Sequence, residues 1–149
     1  MTNRFKYLQL QTLDQHMSEI RVCDRPSDGW IRAVRKSLGM TVRQLAMRMG
    51  ITQQALSQLE AKELTETVSI KTLRRAAEAL DCRLVYVLVP NNGGLQDILN
   101  KQALMKATDI VAAVDHTMKL EAQGVDNIQQ KVQEIVEELA RNPDSKLWE

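Results

Sequence analysis

The stretch VRQLAMRMGITQQALSQLE, residues 42–60, decides the fold. Thr41 just before it and Gln44 within it spell a T-x-x-Q capping box, which opens a helix by satisfying two of its free amides. Leu45, Ala46 and Met49 share one face of that helix, and Ala46 is small enough to let a second helix come close. Gly50 supplies the positive φ of a tight turn, and Thr52 caps the next helix. Leu45, Met49, Ile51, Leu56 and Leu59 then form an apolar wedge between the two helices, with no charge at those inward positions. Seven constrained positions agree, caps included, with a helix-turn-helix motif.

Outward from this motif the chain remains mostly helical. Ile31, Val34 and Leu38 outline a preceding helix that Gly39 stops, and Ser69 caps a following one carrying Ile70, Leu73, Ala77 and Leu80. Upstream, Leu10, Leu13, Met17 and Ile20 predict an amphipathic helix ending before Arg25-Pro26, with Pro26–Gly29 as linker. Downstream, the run RLVYVLV predicts a strand over residues 82–90, closed by Pro90-Asn91-Asn92-Gly93-Gly94. Leu84, Tyr86 and Leu88 fall on one side of it, and Val85, Val87 and Val89 on the other. An edge so apolar on both sides must be paired, so we expect it to join the same strand of a second subunit in an antiparallel ribbon. Ile20–Cys23 is the alternative, local partner. After Gly94 a long helix is expected to about Gln123, where Gly124 breaks it. A last helix follows with Val125, Ile128, Val132, Ile135 and Leu139 inward, and the two can pack as a hairpin. A terminal Trp usually docks, so Trp148 is expected on the body.

The expected architecture is therefore mainly α: a helix-turn-helix bundle with one dimer-pairing β-strand and a C-terminal helical hairpin. Its divisions are an N-terminal helix and linker (1–29), a helix-turn-helix domain (30–81), a dimerisation strand (82–90) and the hairpin (91–149).

The net charge of +1 conceals an asymmetry. Residues 30–90 carry ten Lys and Arg against five Asp and Glu, whereas residues 91–149 carry six against ten. A basic compact segment suits a phosphate backbone, which would repel the acidic third. Cys23 and Cys82 have no metal-like or CxxC spacing, and reduced core thiols are expected. No Ser-His-Asp set, Gly-rich phosphate loop or HExxH occurs, and His16 and His116 stand far apart, so neither an enzyme nor a metal or cofactor site is expected. With no long apolar run and no secretory leader, we expect a cytoplasmic protein without membrane association.

Residues 30–80 resemble the lambda-repressor and Cro-like helix-turn-helix family, and TQQALSQLE resembles the recognition helix of a lambdoid phage repressor. Nearly the whole chain resembles the mobile mystery protein A family, through GWIRAVRKSLGM, LRRAAEALDCRLVYVLVP and HTMKLEAQ. That resemblance implies a lambda-repressor-like regulator encoded beside a Fic-domain protein, in an arrangement suggestive of toxin and antitoxin. It also implies that Gln53, Gln54 and Gln58 stand where the phage repressor reads bases. Val42 departs from the family, which often has a phosphate-contacting Gln there.

In such a domain the N-terminal turns of the recognition helix enter the major groove, where Gln53, Gln54, Ser57 and Gln58 would face the bases. A Gln amide matches adenine, accepting from N6 and donating to N7, so an A·T-containing half-site is expected. Thr41, Arg43, Arg48, Thr52, Lys62 and Lys71 are the phosphate candidates. The expected partners are a double-stranded DNA operator, a second copy of the chain and a Fic-domain protein. For the last, Fic antitoxins resemble one another in an [S/T]xxxE[G/N] helix, and Thr117 with Glu121 is the candidate match, though Ala122 departs from it.

Overall fold

The computed structural model describes residues 2–119 and 128–149. They gather into two compact units, Val22–Val87 and Met1–Arg21 with Leu88–Glu149.

The first of these is a bundle of four short helices: α2 (Trp30–Ser37), α3 (Val42–Met49), α4 (Gln53–Leu64) and α5 (Ile70–Ala79). Each starts where a cap permits. At α3 the Thr41 hydroxyl accepts from the Gln44 amide while the Gln44 side chain accepts from the Thr41 amide, the reciprocal pair expected. Thr52 and Ser69 cap α4 and α5 through the amides of Ala55 and Thr72. Gly50 ends α3 at φ 67°, a left-handed conformation that glycine adopts without steric cost. Between the helices Leu45, Leu56 and Ala76 are shielded from solvent, and Ile31, Ala46, Leu59 and Leu80 are buried around them. Met49 and Ile51 pack against this core, whereas Leu38 and Ile70 lie exposed.

Three charged side chains are buried with this core: Arg35, Glu60 and Glu63. Arg35 on α2 meets both carboxylate oxygens of Glu60 on α4, at 2.6 Å and 3.1 Å, and also donates to the Met40 carbonyl. One turn along α4, the Glu63 carboxylate accepts from the amides of Trp30 (2.7 Å) and Ile31 (3.0 Å), so it caps α2 from another helix. Gly29, at φ 81°, is what lets it in: a Cβ there would stand 2.9 Å from a Glu63 oxygen.

The second unit contains α1 (Thr2–Ser18), α6 (Leu95–Lys119), α7 (Ile128–Arg141) and a 3-10 turn, Ser145–Trp148. Asp14 on α1 accepts from the first amides of α6, those of Leu95 and Gln96, and so caps α6 from its neighbour. Leu99, Ala103 and Leu147 are the buried centre, with Leu10, Val136, Leu139 and Ala140 against them. Gln102 fastens the chain end by donating to the Leu147 carbonyl at 2.9 Å.

Four expectations are corrected. Residues 82–90 form no strand, and none forms elsewhere among the described residues, because a ladder needs a partner and neither Ile20–Cys23 nor any other described segment supplies one. Both cysteines are free and exposed rather than core thiols. At the C-terminus it is Leu147 that docks, 1% exposed, while Trp148 stays 57% exposed. Finally, α1 ends at Ser18, short of Ile20. The expected helix end near Gln123, the Gly124 break and the Val125 start lie outside the described residues.

Removing one member of the buried ion pair leaves the other charged and desolvated, which costs about 3–5 kcal/mol. Arg35→Met should therefore lose stability on that scale in urea unfolding, and adding Glu60→Leu should recover most of it. Equal stability of the single and double variants would contradict the pairing.

Candidate nucleic-acid interface

Because α4 is held from behind, its other face is free. Leu56, Leu59, Glu60 and Glu63 point inward, and Gln53, Gln54, Ser57 and Gln58 are all exposed on the first two turns. Those four polar side chains therefore share one short surface, presented by a helix whose inward contacts fix its rotation. A Gln side chain in such a place offers a donor and an acceptor on one plane, the pair that adenine presents in the major groove.

The phosphate candidates fall around this helix. Thr41 and Thr52 sit at the starts of α3 and α4, with their hydroxyls already capping. Arg43 follows at the second residue of α3, exposed, where the positive end of the helix dipole adds to its own charge. Lys62 and Lys71 are exposed in the last turn of α4 and the first turn of α5, on either side of their connecting turn. Arg48 lies apart from these, near the end of α3. There it lines a shallow cleft of about 420 Å³ with Arg75 and Glu78, and Arg75 reaches the Met49 carbonyl at 3.4 Å.

The dimer-strand residues lie elsewhere. Leu84 is half-buried, lining a largely apolar groove of about 380 Å³ with Trp30, Val34, Leu73 and Leu80. Tyr86 and Leu88 are 68% and 84% exposed. Of the candidate inhibitory pair, Glu121 and the Thr117 side chain lie outside the described residues.

Sequence reasoning missed the groups that orient α4. Arg35, Glu60 and Glu63 were given no role, nor was Arg25, which reaches the Glu63 carbonyl at 2.8 Å. A signal existed: Glu60 and Glu63 follow Leu56 at four and seven residues, in register with the apolar stripe. The short, strong bond to Glu60 raises the Arg35 pKa above its already high value, against the opposing effect of burial. Among exposed groups, the Lys36 ammonium bonded to Asp28 at 3.0 Å holds that carboxyl below its usual range.

Residues 31–87 match the family model described as helix-turn-helix. No curated protein and no solved structure matches the chain. The match supports a DNA-binding helix-turn-helix segment of the kind that transcription regulators carry. No helix among the described residues is long and apolar enough to cross a membrane.

If the exposed face of α4 reads base edges, Gln54→Ala should cost about 1–3 kcal/mol on a cognate duplex and scarcely alter binding to unrelated DNA. Fluorescence anisotropy against both duplexes checks this, and an equal loss on the two would remove the base-reading role.

Proposed function

We propose that the protein is a sequence-specific repressor that binds its operator as a homodimer and autoregulates its own operon. The observation that carries this reading is the row of exposed polar side chains, Gln53, Gln54, Ser57 and Gln58, on the first turns of a helix whose back is locked to the bundle. Arg43, Lys62 and Lys71 supply the cations that fix register on the phosphate backbone without reading sequence.

Support for the dimer comes from the segment between Leu84 and Pro90. It carries no charge, and Val85, Tyr86 and Leu88 are each more than two-thirds exposed. A second copy paired along Leu84, Tyr86 and Leu88 would cover that apolar surface and satisfy the backbone groups together. Two recognition helices then meet one face of the duplex a helical turn apart. The antitoxin-like partnership with a Fic-domain protein belongs to the same proposal and is supported by the sequence resemblance, with Thr117 and Glu121 as the residues to test.

Selection from a random duplex pool with the full-length protein, followed by footprinting, tests the central reading. It should return A·T-containing half-sites repeated at roughly 10 bp, whereas a single unrepeated site would contradict the dimer. Tyr86→Pro removes an amide from the paired segment, so sedimentation should show monomer or aggregate, and a well-folded dimer would refute the pairing. In a co-purified complex with the neighbouring Fic protein, Glu121→Gly should release nucleotidyl transfer while the complex stays intact. Undiminished inhibition would eliminate that residue's role.

A further inference from the structure

We infer that Arg25, ahead of the helix-turn-helix domain, is a positioning residue for DNA binding: it sets the turn that leaves the recognition helix, and through it Lys62 and Lys71. The inference rests on the DNA-binding reading above.

The turn is closed by two backbone bonds. The Thr67 amide donates to the Lys62 carbonyl and the Glu66 amide to the Glu63 carbonyl, at 3.0 Å and 3.2 Å, the two crossed bonds of a Schellman motif. Its left-handed residue, normally glycine, is here Glu66 at φ 58°. A side chain in that conformation is strained; Asp81 after α5 has the same φ of 58°, and what sets the turn after α4 apart is a guanidinium on its carbonyls.

Arg25 supplies it. One guanidinium nitrogen donates to the Glu63 carbonyl at 2.8 Å and another reaches the Leu64 carbonyl at 3.4 Å, while the first also stands 3.7 Å from the Glu66 carboxylate. Glu63 and Leu64 are the last two residues of α4, where exposed carbonyls concentrate the negative end of the helix dipole and a planar cation is favoured. The Glu66 side chain is 81% exposed, so the ion pair itself contributes little, and the bonds to the carbonyls are the anchor.

What the turn controls is the position of Lys71 relative to Lys62. Only residues 65–69 separate α4 from α5, and Val68 packs on the core while Ser69 caps α5. A turn that relaxed would displace the first turn of α5, with Lys71, relative to α4. Arg25 lies before residue 31, where the family match begins.

The test uses the full-length protein, the duplex recovered by selection and an unrelated duplex of equal length. Arg25→Ala should weaken binding to both roughly tenfold and flatten the plot of log K against log[salt] by about 0.9 for each phosphate that is no longer neutralised. Adding Glu66→Gly, which makes the left-handed turn free of strain, should restore both affinity and slope, after the gain from Glu66→Gly alone is subtracted. Weakened binding without rescue would overturn the inference, because Arg25 would then touch phosphate itself. A lower melting temperature with affinity and slope unchanged would overturn it as well, leaving only a structural role. Wild-type protein that selects no duplex would remove the DNA reading and this inference together.

Discussion

Two carboxylates one turn apart on α4 hold the DNA-facing domain in register. Glu60 grips the Arg35 guanidinium and Glu63 caps the N-terminus of α2, so one helix is tied to another by a charge pair and by two backbone amides. Net stability is the smaller part of what such a pair contributes, because the cost of desolvating both charges offsets most of their attraction. The role we assign to it is registry. Leu56 and Leu59 would tolerate small rotations of α4, since hydrophobic contact is non-directional. A bidentate bond on one side and a carboxylate aimed at two amides on the other would not. The rotation of α4 decides which side chains face outward, so the back of this helix determines what its front presents.

Much of the domain was legible because its signals are local. The caps at Thr41, Thr52 and Ser69 and the left-handed Gly50 depend on residues within three or four positions, and all four stand where the sequence placed them. The Leu45 and Leu56 wedge followed from helical periodicity. The buried charges were not legible in the same way. Arg35 is 25 residues from Glu60, and no local rule joins them. Inward-facing acids look like surface acids until their partners are known.

The corrections have a common origin as well. The run at residues 82–90 has strand composition, but composition expresses only a preference, and a strand exists when its amides and carbonyls meet another edge. Within one chain they meet none among the described residues. The terminal Trp was expected to dock, yet Gln102 holds the chain end at the Leu147 carbonyl and it is Leu147 that is buried while Trp148 stays exposed. The glutamines of α4 are exposed on its first two turns.

The central claim, that α4 reads adenine through a glutamine in the major groove, is tested most directly by changing the base and the protein together. Each adenine of the selected half-site would be replaced in turn by 7-deazaadenine, which lacks the N7 acceptor, and affinity measured with wild-type and Gln54→Ala protein. The account predicts one adenine whose replacement weakens the wild type by about tenfold or more and leaves the variant unchanged, so that the two effects are coupled. Equal weakening of both proteins at every adenine, or none for the wild type, would contradict it.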